Sequence, residues 1–374
     1  MPNTFTLKTL GPDQPFCDRE KDLSDLAAYA EAGQNVVLYS PRRYGKTSLC
    51  RRLQAGLADR GFLTVFCDCY AITSVDDLAD RLARQVLEAL HSRESLLDKG
   101  RRWLGVFRSF RPVFTPTPEG GVSLSVERAS RRDSGLDVLA RVLEDLDAFL
   151  DRGEIPVHVT LDEFQEISEL GDGRVEALLR THIQGQRAAY CFVGSRRSVL
   201  LGMFTARKRP FYQSALLHAL PPLPRADLVA FLRARCAAGG KECPEAVAET
   251  LADLSAGYSW YAQALGFHAF ALAGQRLAPE HAATAREMVQ DQERFGHEAQ
   301  VRDLPAPQIQ LLRALAADPT PAPLAADYLA RWSLGASTAA YSRKQLVSRD
   351  LIEKDDAGLW RVVDPFFTEW LRRL

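Results

Sequence analysis

The stretch from residue 35 to residue 48, NVVLYSPRRYGKTS, decides the fold. Its first part is a short β-rich run that ends at Ser40, and a segment with helical spacing begins at Lys46. The residues between approach the template G-x-x-x-x-G-K-[ST], a loop that cradles phosphate between a strand and a helix. Ser40 replaces the first glycine of the template, whereas Gly45, Lys46 and Thr47 match it. The sequence therefore predicts a P-loop, because a chance Gly-Lys-Thr would lack the flanking strand and helix.

Each matching residue type has a chemical reason to stand in this loop. Gly45 lets the backbone approach phosphate with no Cβ in the way, and successive N–H groups at the helix start form an anion nest. Lys46 reaches the terminal phosphates as a point charge, and Thr47 offers its hydroxyl to magnesium. The loop thus predicts ATP or ADP with Mg²⁺ as ligands. Its predicted nucleotide-binding residues are Ser40, Pro41, Arg42, Arg43, Tyr44, Gly45, Lys46, Thr47 and Ser48.

A second motif supplies the carboxylates that such a site needs. The run IPVHVTLDE, residues 155–163, is typical of a buried strand that carries charge only at its last two positions. We expect Asp162 to hold Mg²⁺ through water and Glu163 to activate the attacking water as general base. Glu166 is a weaker candidate for the base because it lies beyond the strand end. The alternative, that both residues merely cap a helix, is weakened by two motifs in the expected order.

Candidate sensors of the γ-phosphate follow the next buried strand. The strand at 189–195 ends in Gly194-Ser195, where Ser195 either senses the phosphate or simply forms a turn. Several arginines come shortly afterwards, and one of them is a candidate arginine finger or sensor, although the sequence does not choose among them. These arginines are Arg196, Arg197, Arg207 and Arg209, with Arg196 and Arg209 as the chosen candidates.

The pattern along the chain predicts three domains. Strands alternate with amphipathic helices up to Pro221-Pro222, which predicts a parallel α/β sheet domain over residues 1–222. An arginine-rich insertion at 92–133 breaks this rhythm and contains a predicted β-hairpin with its turn at Glu119–Gly121. Residues 223–300 have only helical patterns and predict a lid. Residues 301–374 show three helices, then two short strands and a last helix, which is the pattern of a winged helix.

Composition excludes several classes of protein. The 374 residues carry a net charge of −1, so no field of the whole protein recruits nucleic acid or acidic lipid. No stretch approaches the roughly 18 apolar residues of a membrane span, and the N-terminus lacks a signal pattern. These two observations predict a cytoplasmic protein that does not associate with a membrane. The seven cysteines fit a reducing compartment. Cys67 and Cys69 are the only close cysteine pair, and a zinc site would need a second pair of ligands, which the sequence does not offer. We therefore expect both cysteines to be buried in a core strand.

These motifs resemble those of the archaeal-type ATPases in the STAND branch of AAA+-related P-loop proteins. Residues 16–20, FCDRE, are similar to the opening F-x-G-R-E motif, and residues 40–49 are similar to the P-loop G-P-R-R-x-G-K-T-S-L. Residues 161–166, LDEFQE, are similar to the acidic strand end h-D-E-F-Q-E, and the winged helix is also shared. The resemblance covers nearly the whole chain. It implies a nucleotide-dependent ATPase and places Phe16 and Arg19 at the nucleotide, with the residues around Phe16 flanking adenine.

The sequence departs from the family pattern at four places. Asp18 replaces the glycine of the opening motif and Ser40 that of the P-loop. Residues 211–214, FYQS, stand where relatives have P-L-Y-G-R, so that arginine is missing. Residues 257–259, GYS, replace a G-x-P element of the lid. Because the late motifs carry sensing groups, the resemblance implies nucleotide binding and slow or partner-stimulated ATP hydrolysis.

Three functions remain open at this stage. The first is a molecular switch in which ATP holds the three domains in one arrangement, with an unknown protein partner and a nucleotide-dependent oligomer as expectations. The second is a DNA-associated ATPase similar to origin-recognition initiators, and the third is an ATP-binding module with little turnover. Basic residues of the third winged-helix helix are scattered rather than gathered, which favours a packing or regulatory role. Arg361, Arg372 and Arg373 keep the DNA alternative open.

Overall fold

The computed structural model describes residues 2–92, 110–116, 122–128, 133–152, 155–171, 173–355 and 357–374. The predicted hairpin turn at Glu119–Gly121 falls outside these residues. Within the described residues, no helix combines the length and the apolar character that crossing a bilayer requires.

A five-stranded parallel sheet forms the first part of the chain. Its strands are β1 (Val36–Tyr39), β2 (Leu63–Asp68), β5 (Val157–Asp162), β6 (Ala189–Gly194) and β7 (Leu216–Ala219). They lie in the order β2-β5-β6-β1-β7. β3 (Phe110–Pro116) and β4 (Val122–Arg128) form a separate antiparallel hairpin, as predicted for the insertion. This order places the carboxyl ends of β1, β5 and β6 side by side, which brings Ser40, Asp162 and Ser195 to one edge.

Helices cover both faces of the sheet. They are α1 (Glu20–Glu31), α2 (Lys46–Asp59), α3 (Val75–Ser92), α4 (Gly135–Leu150), α5 (Gly173–Gly185) and α6 (Arg197–Thr205). A 3₁₀ helix, Phe164–Leu170, follows β5. Alternate strand residues face opposite cores: Val36 and Leu38 pack with α1 and α2, whereas Val37 packs on the other face with α3 and α4. α6 and the 3₁₀ helix are the two elements that the sequence pattern did not indicate.

The lid shares its hydrophobic core with one face of the sheet. Its helices are α7 (Arg225–Ala238), α8 (Glu245–Ser255), α9 (Ser259–Leu272) and α10 (Pro279–Arg302). Leu53 of α2 belongs to the same buried cluster as Leu228, Leu251 and Tyr261 of the lid. The lid is therefore packed against the P-loop helix rather than joined to it by a free linker.

The last part of the chain is a winged helix, which confirms the predicted fold class. It consists of α11 (Ala306–Ala317), α12 (Ala326–Arg331), α13 (Ala336–Ser348), β8 (Ile352–Lys354), β9 (Trp360–Val362) and α14 (Pro365–Arg373). β8 and β9 pair antiparallel as the wing. On α13, Ala339, Ser342 and Leu346 are buried in the domain core, whereas Tyr341 and Lys344 face outward.

Candidate nucleotide site

The predicted P-loop joins β1 to α2 with a backbone that only some residues allow. Gly45 precedes α2 at φ 87°, and a Cβ there would lie 2.9 Å from Ser259 Oγ of the lid. Alanine at Gly45 would therefore be strained as well as crowded. Ser40, which replaces the first glycine of the template, is not at positive φ. Its Cβ is accordingly tolerated, and this departure from the template leaves the loop intact.

Lys46 lies buried inside the loop. Its Nζ donates to the carbonyl oxygens of Ser40 and Pro41, at 3.0 and 2.9 Å, and lies 3.2 Å from Ser40 Oγ. Burial lowers the pKa of Lys46 to about 8, although the negative charges of Glu163 and Asp162 act in the opposite direction. A phosphate group at this position would supply the full negative charge that the carbonyl dipoles replace.

Thr47 and Asp162 meet at the start of α2. Thr47 Oγ1 donates to Asp162 Oδ2 at 2.7 Å. Burial raises the pKa of Asp162, and the hydrogen bond from Thr47 opposes that rise. A hydroxyl and a carboxylate at this distance are hard oxygen ligands of the kind that Mg²⁺ accepts beside substrate phosphates. The pair therefore fits the magnesium site that the sequence predicts.

Glu163 lies directly beyond the end of β5. It adopts φ 50° and turns the chain into the 3₁₀ helix. Its Oε2 accepts hydrogen bonds from Ser195 Oγ, at 3.0 Å, and from Gln165 Nε2. Glu163 lines the large cavity above the P-loop, whereas Glu166 lines only a smaller neighbouring cavity. The position of Glu163 at the large cavity therefore favours Glu163 over Glu166 as the candidate general base.

The large cavity has a volume of about 830 Å³ and lies between the P-loop, the lid and the N-terminal segment. Phe16 and Arg19, which the resemblance predicts at the nucleotide, both line this cavity. Arg19 is buried and donates to the carbonyl of Pro221 at 2.7 Å, and the Arg52 guanidinium lies 4.4 Å from the Phe16 ring. A cavity of this size has room for a nucleotide that runs from Lys46 towards Phe16.

The sensor candidates lie in different surroundings. Ser195 lines the large cavity and contacts Glu163. Arg196 lines the smaller cavity, of about 310 Å³, and pairs with Glu169 at 2.8 Å. Arg209 pairs with buried Glu176 and lines neither cavity. The structure therefore brings Ser195 to the predicted site, places Arg196 beside it and keeps Arg209 apart.

Arg43 makes contacts that the sequence did not predict. Its guanidinium bonds to Glu293 of α10 and to the Tyr261 hydroxyl of α9, and it lies 3.8 Å from Asp364 at the start of α14. It also lies over the Trp260 ring, 4.5 Å from the centroid. These partners are more than 200 residues away in sequence, so no local pattern indicates them. One P-loop side chain thus contacts both the lid and the winged helix.

Comparison with known families and structures places this geometry in context. Residues 15–193 match the AAA ATPase domain family. The chain has the fold of a P-loop NTPase, and over these residues it is similar to AAA ATPase domains. Residues 295–373 match the family described as "Probable winged helix domain". No curated protein matches the sequence.

Solved structures resemble the ATPase domain together with its lid and winged helix. The Walker-type ATPase PABY2304 of Pyrococcus abyssi is 18% identical, with a TM-score of 0.72 over 99% of each chain. The ORC2 protein of Aeropyrum pernix, solved in ADPNP-ADP complexes, is 16% identical, with a TM-score of 0.62 over 99% of this chain and 96% of that one. The ORC1 protein of the same organism, solved in complex with DNA, is 16% identical, with a TM-score of 0.50 over 98% and 93%. At these identities the likeness shows the shared fold.

Proposed function

We propose that this protein binds Mg²⁺-ATP, hydrolyses it and acts as a nucleotide-dependent molecular switch. The observation that carries the proposal is the meeting of Lys46, Thr47 and Glu163 at one end of the large cavity, with buried Asp162 hydrogen-bonded to Thr47 behind them. Two of these residues come from the P-loop and two from the end of a strand two places away in the sheet. Their convergence provides phosphate binding, metal binding and a base within one site.

In the proposed reaction, the P-loop N–H groups and Lys46 bind the β- and γ-phosphates. Thr47 would hold Mg²⁺ through its hydroxyl and Asp162 through water, and the bound ion would neutralise charge on the phosphate oxygens. Glu163 accepts a proton from water as the water oxygen bonds to the γ-phosphorus. The bond from that phosphorus to the bridging oxygen breaks, and its electron pair stays on ADP. Phe16 and Arg19 flank the nucleoside. Ser195 and Arg196 are the candidate sensors of the γ-phosphate. Arg209 can act as a sensor only if its side chain moves into the site.

The switch part of the proposal is supported by Arg43. Its carbonyl oxygen accepts from the Trp260 N–H at 3.1 Å and from Ser259 Oγ at 3.0 Å, so the loop backbone is also tied to the lid. The same residue reaches Glu293 and Asp364 through its guanidinium. The P-loop must enclose the phosphates, so loss of the γ-phosphate changes the conformation of the loop. Arg43 then moves or loses its partners, and the contacts that it makes with all three domains change.

A substitution at Glu163 tests hydrolysis separately from binding. Glu163→Gln keeps the shape of the side chain but removes the base, so we expect ATP affinity to persist while hydrolysis falls by roughly 10²-fold or more. Asp162→Asn should instead weaken the magnesium dependence of ATP binding. Phosphate release and titration calorimetry measure the two effects. Hydrolysis at the wild-type rate by Glu163→Gln would contradict the assignment of the base.

A DNA-associated ATPase is the second candidate, favoured by the polar outer face of α13 with Tyr341 and Lys344. Against it, the arginines that the sequence offered for DNA have partners within the protein. Arg361 pairs with Glu353, Arg372 donates to the Ala316 carbonyl, and Arg373 pairs with Glu369. Salt-dependent DNA binding that is lost in Lys344→Glu would favour this second function.

Finer assignments belong to the same proposal. We assign the protein to the STAND branch because of the motifs at residues 16–20, 40–49 and 161–166. We assign it to the cytoplasm because of its composition. The domain boundaries are proposed after residues 222 and 300. An unknown protein partner and a nucleotide-dependent oligomer are expected of a switch. If the wild type binds ATP with no measurable turnover, even with DNA or candidate partners present, a pure binding module replaces the switch.

A further inference from the structure

Gln165 is a buried polar residue that the proposed reaction does not use. It is 1% exposed and lies two residues beyond Glu163, in the 3₁₀ helix. Its Nε2 donates to Glu163 Oε2, the same oxygen that accepts from Ser195. Two donors on one carboxylate oxygen fix the plane of the carboxylate. Among the described residues, no hydrogen bond is donated to the other oxygen, Oε1, of this cavity-lining side chain.

The second end of the Gln165 amide lies against the backbone of β6. Its Oε1 has no hydrogen-bond partner among the described residues. A Cβ at Gly194 would lie 2.1 Å from this oxygen. A buried acceptor without a partner destabilises the folded protein, so the arrangement is not explained by stability alone. Rotating the amide would turn its oxygen towards the Glu163 carboxylate and repel it, so the orientation is set by Glu163.

We propose that Gln165 is a positioning residue that aims the Glu163 carboxylate at the attacking water, and that glycine is required at Gly194 to make room for it. The inference rests on the proposed function, in which Glu163 is the base. Gln165 acts through Glu163 and does not touch nucleotide. Ser195 holds the same oxygen from β6, so the 3₁₀ helix and the sheet together set the direction of Oε1.

The experiment measures kcat, ATP affinity and thermal stability for a set of variants. In Gln165→Ala, kcat should fall by roughly 10- to 100-fold, the scale of a misplaced catalytic group, while ATP affinity stays within about twofold. Gly194→Ala should lower kcat similarly, because its methyl group displaces the amide. Gly202→Ala is the matched control, since a Cβ at Gly202 meets nothing within 4 Å. It should leave kcat unchanged.

Non-additivity distinguishes positioning from general damage. Gln165→Ala/Gly194→Ala should be no slower than Gln165→Ala, because the clash disappears with the amide. Additive losses, lost ATP affinity in Gln165→Ala, or wild-type kcat in Gln165→Ala would each overturn the inference. The parallel Glu163→Gln variant separates the two proposals. If wild type and Glu163→Gln turn over equally or not at all, the proposed base fails and the role of Gln165 fails with it.

Discussion

Lys46 shows how burial and ligand charge act on one residue. Among the described residues, its ammonium donates to the carbonyl oxygens of Ser40 and Pro41 and lies 3.2 Å from Ser40 Oγ, and burial depresses its pKa to about 8. Phosphate binding needs the charged form. The charge therefore depends on pH within an accessible range, whereas an exposed lysine stays charged there.

We predict that ATP affinity falls as pH rises above about 8. A depressed pKa means that the empty site releases its proton first, so binding must take one up. The expected loss is about tenfold for each pH unit above the pKa. Titration calorimetry between pH 7.5 and 9.5, in buffers of different ionisation enthalpy, measures both the affinity and the proton uptake. Lys46→Arg is the control, because guanidinium stays charged, and its affinity should not vary; equal slopes would contradict the prediction.

Removal of Lys46 gives a second prediction at this scale. Lys46→Ala should collapse ATP affinity, because Lys46 is the P-loop cation that the template aims at the β- and γ-phosphates. Titration calorimetry against the wild type measures the change. Equal ATP affinity in both proteins would refute the P-loop as the nucleotide site.

Motif spacing and strand order explain which site residues the sequence could predict. Lys46, Thr47, Asp162 and Glu163 follow strands whose carboxyl ends share an edge, so their convergence follows from the α/β pattern. The proposed role of Gln165 depends on the absence of a side chain at Gly194, where a Cβ would lie 2.1 Å from Gln165 Oε1. Such side-chain contacts arise from packing and leave no trace in hydrophobic periodicity.

Between elements, a buried polar network aligns α2 with the sheet. Gln54 Nε2 donates to the Val65 carbonyl at 2.8 Å and to Thr160 Oγ1 at 3.0 Å, and lies 3.4 Å from His158 Nδ1. Gln54 lies two turns along α2 from Thr47, and Thr160 lies two residues before Asp162. The network thus holds the helix in the register that lets Thr47 meet Asp162.

His158 makes this network sensitive to acid. Burial lowers the pKa of His158 to about 4, below its ordinary value of 6.5. Above pH 6.5 the histidine is neutral in the folded and the unfolded chain; as pH falls from 6.5 towards 4, only the unfolded chain gains the proton. Stability should therefore fall with acid, by roughly 2 kcal/mol between pH 7 and pH 5 from this group. Urea unfolding of wild type and His158→Asn measures it, and identical pH slopes would contradict the assignment.

Element prediction failed where an element was short. α6, RSVLLGMFT, has nine residues and contains a glycine, so its intrinsic helix signal is weak. It forms because Leu200, Met203 and Phe204 are buried against the core behind β6. A longer periodic segment such as α3 was predictable because several turns repeat the same apolar stripe.

In the whole molecule, polar contacts join the lid to the winged helix beside the stacked rings of Tyr261 and Phe366. Tyr261 OH donates to Asp364 at 2.6 Å, and Tyr258 OH donates to the Val363 carbonyl at 2.6 Å. Arg286 pairs with Glu369 at 2.6 Å. Arg43 adds the P-loop to this group of contacts and is one link between the nucleotide site and the winged helix. A second link lies at the start of α6, where Arg197 pairs with Glu353 at 2.7 Å and Ser198 Oγ donates to Asp350 at 3.1 Å.

Loss of Arg43 should loosen the assembly and speed ADP release. Arg43→Ala leaves Glu293 and Asp364 without their cation, and because these side chains are partly exposed we expect a loss of about 1–2 kcal/mol, or roughly 2–8 °C in Tm. Stopped-flow release of a fluorescent ADP analogue and thermal melting measure the two effects. Arg42→Ala is the matched control for stability, because Arg42 is exposed in the same loop. Equal melting of the two variants would show that Arg43 carries no coupling.

The most direct test of the switch is amide hydrogen exchange of the Glu163→Gln protein with Mg²⁺-ATP and with Mg²⁺-ADP. The account predicts that exchange in α10 and α14, at residues 286–302 and 364–373, differs between the two nucleotides, and that Arg43→Ala in the same background removes the difference. Identical exchange in both helices with ATP and with ADP, at saturating nucleotide, would contradict a nucleotide-dependent switch.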